Sequence, residues 1–334
     1  MKKKGLVLGK FMPLHTGHVA MIEFALQHCE VLVVMLCASD KEPISGALRK
    51  NWLDTTFGNN DRVEVALVKY DEAVLPNSSV SSRGISALCA DYIRVHFPGI
   101  GIFVSSEPYG EYVAEFLGIE HRCFDQERKL VPVAASAILR DPFLHWSYIA
   151  AAARPWFVKK ICISGSESTG KSTLAERLGR YFETAFVPEM AREVIETTDE
   201  VVFDDLLKIA TLHAATINER LPLANKILIC DTDVNITKSY AQYLFKQPLE
   251  VPEWINAANQ FHLHLFLDTD CPYVQDGTRL SEAERNALSG YHEKQLQEAG
   301  IAYVKIGGGW EERFEQAKAV IKETFFKEHS TSLI

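Results

Sequence analysis

The sequence predicts two successive α/β domains, each built on a parallel sheet. Apolar runs of strand length alternate with amphipathic stretches, a pattern typical of parallel strands that helices cover on both faces. The alternation stops and restarts once, and a chain of 334 residues has the length of roughly two domains at about 150 residues each. We place the junction near Arg154, which gives domains at 1–153 and 154–334.

In the first domain, the apolar runs predict strands at 5–9, 31–37, 63–68 and 100–106. The stretch HVAMIEFALQHC has apolar residues at helical spacing and predicts a helix over 18–29. Together these elements favour a Rossmann-like, doubly wound fold.

In the second domain, further apolar runs predict strands at 158–165, 226–231 and 262–268. Before them, YIAAAARPWF (148–157) predicts a helix that ends at Pro155, since proline restricts the residue before it. Near the end of the chain, WEERFEQAKAVIKETFF predicts a closing amphipathic helix. Its apolar stripe consists of Trp310, Phe314, Ala317 and Ile321.

Composition argues against several classes of protein. A formal net charge of −9 disfavours a nucleic-acid binder, because such proteins carry a basic surplus. No apolar run approaches the ~20 residues that span a bilayer, and the basic start MKKKGLVLGKF lacks the apolar core of a secretion signal. The seven cysteines show no C-x-x-C spacing and indicate reduced core thiols. We expect a cytoplasmic protein without membrane insertion, and homo-oligomer formation is left open.

The string GKFMPLHTGH (9–18) follows the first predicted strand and indicates a phosphate site. Its spacing brings His15 and His18 to the start of a helix, expected to open at Gly17, where free N–H groups and the helix dipole favour an anion. Imidazoles can donate hydrogen bonds to phosphate oxygens as charge develops there. We predict both histidines as catalytic. The ATP-binding residues predicted around them are Gly9, Lys10, Phe11 and Gly17. For Lys10, a solvated loop lysine is the alternative.

Three other residues of the first half are predicted to contact substrate. Trp52 shares a helical face with Arg49 in EPISGALRKNWL, and its indole either stacks on a base or belongs to the core. Glu107 and Tyr109 follow the strand at 100–106, at the edge of such a sheet where ligands bind.

In the second half, GSESTGKST satisfies the pattern G-x-x-x-x-G-K-[ST] between a β-branched strand and an amphipathic helix, which predicts a P-loop. Its backbone N–H groups cradle phosphates, Lys171 reaches the β- and γ-phosphates, and Ser172 ligates Mg²⁺. We therefore predict a kinase that uses ATP and Mg²⁺, with Lys171 catalytic. The predicted ATP-binding residues are Gly165, Ser168, Thr169, Gly170, Lys171, Ser172 and Thr173.

Carboxylates and an arginine predict the metal and substrate groups of this second site. In CDTD, Asp231 is expected to hold Mg²⁺ or to activate a hydroxyl, and Asp233 to contact substrate. Strand-end aspartates also serve as caps, and that alternative stays open. In VPEMARE, Glu189 and Arg192 are expected to hold a substrate hydroxyl and a phosphate, with a surface ion pair as the alternative.

The polar stretch QDGTRLSEAERNALSGYH (275–292) predicts a lid over ATP. Within it, Arg279 is the predicted catalytic arginine for the transferring phosphoryl group. A solvated charged helix is the alternative.

The first string resembles the opening motif of the nucleotidylyltransferase superfamily, G-x-F-x-P-x-H-x-G-H. The superfamily's second motif, I-S-x-T-x-I-R, has an imperfect counterpart in VAASAILRDP (133–142). The resemblance implies that Ser136 supplies its hydroxyl and Arg140 its cation, both for ATP. However, Leu139 stands where the arginine is expected, so either the helix register turns Arg140 inward or this half is weakened.

Along nearly its whole length the chain resembles the NadR family, on GKFMPLHTGH, EPISGALRKNWL, SSEPYGEY, GSESTGKS, PEMARE, CDTD and DGTR. The resemblance implies that 154–334 phosphorylates nicotinamide riboside to nicotinamide mononucleotide (NMN). It implies that 1–153 then transfers an adenylyl group from ATP to NMN, giving NAD and pyrophosphate. Some members begin with a helix-turn-helix repressor domain. The first strand starts near residue 5, and we expect a form without it.

Two alternatives remain open at this stage. A fused phosphopantetheine adenylyltransferase and dephospho-CoA kinase has the same architecture. A sensor with a weakened transferase half would bind NAD or NMN without releasing pyrophosphate.

Overall fold

The computed structural model describes residues 3–72, 82–195, 201–274 and 281–326. The chain divides into two compact units, Met1–Trp156 and Phe157–Ile334. Each unit carries its own parallel sheet, with five strands among the described residues. No helix in the described ranges combines the length and apolar character that a bilayer-spanning segment needs.

The first unit alternates strands and helices around the strand order β3-β2-β1-β4-β5. Its elements are β1 (Lys4–Gly9), α1 (Thr16–Leu26), β2 (Val31–Ala38), α2 (Gly46–Phe57), β3 (Val63–Lys69), α3 (Arg83–His96), β4 (Ile100–Ser105), α4 (Tyr109–Leu117), β5 (Glu120–Cys123) and α5 (Ala135–Arg140). Two 3₁₀ turns follow, Trp146–Tyr148 and Ala151–Trp156.

Helices cover both faces of this sheet, so its central strands are mostly apolar. Leu6 of β1, Val33 of β2 and Phe103 of β4 are each 0% exposed and pack in one core with Val113 of α4. The chain reverses its direction of winding between β1 and β4. In open α/β sheets a crevice forms there, at the carboxyl ends of the strands.

The second unit has the strand order β10-β9-β6-β8-β7. Its elements are β6 (Lys159–Ser164), α6 (Lys171–Tyr181), β7 (Phe186–Val187), α7 (Phe203–Arg220), β8 (Ile227–Asp231), α8 (Val234–Tyr240), α9 (Glu253–Ala258), β9 (Leu263–Leu267), α10 (Glu282–Glu298), β10 (Val304–Ile306) and α11 (Trp310–Phe325). The glycine-rich loop follows β6, the central strand, and Asp231 ends the neighbouring β8.

The predicted fold class is confirmed, and some predicted elements differ. The run at 148–157 does not form a helix that ends at Pro155, because Pro155 lies inside a short 3₁₀ turn. At the start of that turn, the N–H groups of Ala153 and Arg154 reach the carbonyl of Ala150 at 2.8 and 3.2 Å. Proline has no backbone N–H group, so Pro155 donates no hydrogen bond to this turn.

Much of the predicted lid is a packed helix. A capping box between Ser281 and Glu284 starts α10, whose Arg285 is 0% exposed. The guanidinium donates to the carbonyl of Thr269 at 3.2 Å. Residues 275–280 of the predicted lid, with Arg279, lie outside the described ranges.

Candidate active sites

The two histidines of the first unit lie against each other just after β1. Their ring centres are 3.7 Å apart, with ring planes 30° from parallel. His15 caps α1, because its Nδ1 accepts the N–H of Gly17 at 3.1 Å. The helix therefore begins at Thr16, slightly earlier than predicted, and the cap fixes the orientation of the His15 ring.

Both histidines are neutral at physiological pH. Burial, and secondarily the positive charge of Arg128, lower the pKa of His15 to about 4. Burial, and next the neighbouring His15, hold the pKa of His18 well below its usual value. In the described part of the chain, the buried Nδ1 of His18 has no hydrogen-bond partner. The neutral pair can donate hydrogen bonds to an anion without bringing a full charge.

The glycines of this string make room for the chain's own rings. A methyl group at Gly17 would lie 2.9 Å from Cε1 of His15, and one at Gly9 would lie 3.3 Å from the Phe11 ring. Phe11 is 1% exposed and its ring centre lies 5.0 Å from that of His18. Phe11 and the two glycines, predicted as ATP contacts, thus first serve to place the histidines.

A buried ionic network fixes the loop before the histidines. Lys10, predicted to bind ATP, pairs with Glu42 at 2.9 Å. Arg49 is 0% exposed, binds the same carboxylate, and donates to the carbonyl of Lys10 at 2.7 Å. Glu42 was missed by the sequence reasoning, although a glutamate seven residues before an arginine was a visible signal. Trp52 is 2% exposed, which fits the core alternative.

The other predicted residues of the first unit lie in different surroundings. Tyr109 donates its hydroxyl to the carbonyl of Leu8 at 3.0 Å, which ties α4 to β1. Glu107 is exposed after β4. In α5, Ile138 is the buried residue, whereas Ser136 and Arg140 are exposed. The helix register therefore does not turn Arg140 into the core.

Arg128 is a cation near the histidines that sequence reasoning missed. Asp125 accepts the N–H groups of the three residues 129–131 at 2.7 to 3.1 Å and so folds this loop back on itself. Val131 lies 3.5 Å from the position of a methyl group at Gly17, so the loop lies against the start of α1. The charge of Arg128 lowers the pKa of both histidines. No motif marks it, and only the fold places it here.

In the second unit a cavity of about 750 Å³ opens beside the glycine-rich loop. The predicted residues that line it are Ser168, Gly170, Lys171, Ser172, Thr173, Glu189 and Arg192. Its other wall was not predicted and includes Ile209, Ile236 and Tyr240. These residues lie on helices whose apolar faces look the same in sequence whether they line a cavity or pack in a core. The sequence therefore did not mark them as cavity residues.

The loop has the backbone of a phosphate cradle. Gly165 and Gly170 have φ of 140° and 84°, values that side chains disfavour. A methyl group at Gly165 would also lie 2.9 Å from the carbonyl oxygen of Leu267. The Thr169 hydroxyl and Lys171 Nζ donate to the carbonyl of Ser166 at 2.8 and 3.0 Å.

Ser172 and Asp231 fit a magnesium ion. The Ser172 hydroxyl donates to Oδ2 of Asp231 at 2.6 Å. Among the described residues, the buried Oδ1 of Asp231 has no partner. Burial, and next the charge of Glu189, raise the pKa of Asp231 to about 6. A hydroxyl and a carboxylate with an unpaired oxygen are the hard donors that Mg²⁺ takes.

Asp233 follows the cap alternative. It is 1% exposed and does not line the cavity. Its carboxylate accepts the N–H of Ile236 at 3.0 Å, which caps α8, and the side-chain amide of Asn235 at 2.8 Å. Its carboxylate therefore serves as a helix cap, and its contact with substrate stays a prediction.

Comparisons with known proteins agree with this two-part architecture. The family model "AAA domain" matches residues 160–313. The trifunctional NAD biosynthesis/regulator protein NadR of Salmonella typhimurium is 29% identical over 350 residues, covering 96% of this chain and 83% of the relative. A crystal structure of NadR with NR superposes with a TM-score of 0.80 at 22% identity, covering 98% and 97% of the chains. Another, with NAD and AMP-PNP, gives 0.77 at 22%, covering 100% and 99%. The first half is nucleotidyltransferase-like and the second is P-loop kinase-like.

Proposed function

Because this chain is a homologue of the NadR family over 96% of its length, we propose that it makes NAD from nicotinamide riboside in two ATP-dependent steps. We assign adenylyl transfer to residues 1–153 and phosphorylation to 154–334. The observation that carries the proposal is that each unit has its own set of groups suited to bind phosphate. The first has the neutral pair of His15 and His18, and the second has the glycine-rich loop with Ser172 bonded to Asp231.

In the kinase step, the 5′-hydroxyl oxygen of the riboside attacks the γ-phosphorus of ATP while the bond to ADP breaks. The loop N–H groups and Lys171 hold the phosphates. Ser172 and Asp231 would hold Mg²⁺, which when bound neutralises charge on the phosphates. Asp231 is engaged with Ser172, so we assign the proton of the attacking hydroxyl to Glu189, a carboxylate in the lining of the cavity.

The chemistry of the cavity suits a cationic nucleoside. Nicotinamide riboside carries a positive charge on its pyridinium ring. Glu167, Glu189 and Tyr240 line the cavity, and two carboxylates with an aromatic ring attract such a cation. A volume of about 750 Å³ lies in the usual range for small-molecule sites.

In the transferase step, a phosphate oxygen of NMN attacks the α-phosphorus of ATP and pyrophosphate leaves. No proton needs to move at neutral pH, because both the nucleophile and the leaving group are anions. His15 and His18 donate hydrogen bonds to the phosphate oxygens where charge grows. We assign to Arg128 the cationic role that Leu139 cannot fill in the second motif.

The proposal is tested by incubating the protein with ATP, Mg²⁺ and either nicotinamide riboside or phosphopantetheine, and separating the products. We expect riboside to give NMN, then NAD and pyrophosphate, and phosphopantetheine to stay unchanged. Conversion of phosphopantetheine would support the alternative fused enzyme. Tight binding of NAD or NMN without pyrophosphate release would support the sensor, the alternative left open by Leu139 at the arginine position of the second motif.

A further inference from the structure

An exposed tryptophan lies against the glycine-rich loop of the second unit. Trp310, the first residue of α11, is 50% exposed, although the predicted stripe had placed it in the core beside Phe314 and Ala317. A methyl group at Gly170 would lie 2.1 Å from Cζ3 of the indole and 2.9 and 3.1 Å from the two ring atoms beside it. The contact is therefore made by the edge of the six-membered ring, which leaves a ring face for a planar group.

The helix turn that carries this indole is held by Arg313, whose guanidinium lies 5.9 Å from the centre of the Trp310 ring. Arg313 is 1% exposed and donates to the carbonyls of Thr169 at 3.2 Å and Asp268 at 3.1 Å. It also pairs with the carboxylate of Asp270. The first turn of α11 is thus tied both to the glycine-rich loop and to the segment after β9. Because the backbone that carries the ring is already ordered, little conformational entropy of the backbone is lost when a ligand stacks there.

The direction of phosphoryl transfer indicates what stacks there. The attacking and leaving oxygens lie roughly in line through the γ-phosphorus. The acceptor occupies the cavity lined by Glu189 and Tyr240, and Trp310 is not part of that lining. The nucleoside end of ATP therefore leaves the loop away from the acceptor, and an exposed aromatic ring lies against Gly170 outside the cavity.

We propose that Trp310 stacks on the purine base of the ATP used by the kinase unit. The inference rests on the proposed kinase function and adds a residue that recognises the base, which the glycine-rich loop cannot do because it contacts phosphates alone. An indole stacks on any planar base. The contact therefore raises the affinity for a nucleotide and leaves the affinity for inorganic polyphosphate, which has no base, unchanged.

The test compares Trp310→Leu, which keeps an apolar side chain of moderate size, with Trp310→Phe, which keeps an aromatic face. For Trp310→Leu we expect the KM for ATP in riboside phosphorylation and the Kd for ADP to rise on the order of tenfold, the effect of losing one base-stacking contact. The Kd for inorganic tripolyphosphate should stay within about twofold. Trp310→Phe should restore most of the affinity for ADP. Trp254→Ala, at a tryptophan 44% exposed on α9, is the control and should change neither constant.

Equal weakening of ADP and tripolyphosphate in Trp310→Leu would overturn the inference, because the indole would then only support the loop. Unchanged ADP affinity would overturn it as well. The binding measurements need no riboside. A wild-type protein that fails to phosphorylate riboside therefore counts against the proposed function and leaves this test intact.

Discussion

Arg49 shows how one buried side chain controls a loop of the transferase unit. It is 0% exposed and joins Glu42 to the carbonyl of Lys10. Arg49→Met leaves Glu42 paired with Lys10 and removes the donor to the carbonyl of Lys10, which should cost about 1–3 kcal/mol of unfolding free energy. Chemical denaturation measures this. Lys50→Ala is the control, since its exposed pair with Asp54 on the same helix should be worth no more than ~0.5 kcal/mol. A similar loss in both variants contradicts the assignment.

The proposed role of Arg128 as the cation of the transferase site is tested by comparing its alanine variant with that of Arg140. Arg128→Ala should lower kcat/KM for adenylyl transfer roughly ten- to a hundredfold, because one cation near the phosphates is lost. Arg140→Ala, at an exposed residue of α5, should change it less than about threefold on the same grounds. Pyrophosphate release with NMN and ATP is the measurement. A larger loss in Arg140→Ala than in Arg128→Ala would show that Arg140 of α5 supplies the cation of the second motif.

Asp231 predicts the pH dependence of magnesium use. Its pKa is raised to about 6, so the folded protein binds this proton more tightly than the unfolded chain. The contribution of Asp231 to stability is therefore present at low pH and is lost as pH rises through about 6. Magnesium needs the ionised carboxylate. The Mg²⁺ concentration for half-maximal kinase activity should fall about tenfold per pH unit up to about pH 6 and level off above it. A flat profile from pH 5 to 7 contradicts this.

At the scale of elements, the start of α1 is built around the ring that caps it. Gly17 is required because a side chain there would meet the His15 ring at 2.9 to 3.0 Å. Gly17→Ala should displace that ring and lower adenylyl transfer on the order of tenfold, through misplacement of a hydrogen-bond donor. Riboside phosphorylation, measured on the same preparation, should be unchanged. Full transfer activity would show that the ring position does not matter.

The central strands and the glycine-rich loop were predictable from the sequence, because buried parallel strands are continuous apolar runs. The strands that were missed lie at sheet edges. β7 has two residues, β10 has three, and β5 is the polar, partly exposed segment EHRC. Such segments form strands only because a neighbour offers free N–H and C=O groups, and a local pattern does not record this.

The site residues were also predictable where a local motif contains them and unpredictable where the fold brings distant segments together. Lys171 and Ser172 lie in one short motif whose spacing sets its own geometry. The network of Glu42 with Arg49 and the approach of Arg128 depend on where the fold brings distant segments. Asp233 was predicted to contact substrate for its place after a strand, but the first turn of α8 uses its carboxylate as a cap. A sequence pattern locates the carboxylate and does not identify the hydrogen-bond donor that it accepts from.

At the scale of the whole molecule, each unit contains its own sheet and its own candidate phosphate site, so the two proposed reactions should be separable by mutation. Lys171→Ala should abolish riboside phosphorylation and leave transfer to supplied NMN largely intact. His18→Ala should do the reverse. Separate assays of NMN formation and pyrophosphate release measure the two steps. Loss of both activities in either folded variant would contradict the division.

The bond between Lys171 and the carbonyl of Ser166 has a consequence for selectivity in the cell. An arriving anion must take the ammonium group away from a partner that it already has. Orthophosphate, which is abundant in metabolising cells, engages few of the loop amides at once and gains little from the exchange. A polyphosphate tail engages many amides together, so we expect Lys171 to favour nucleotides over the small anions of the cell.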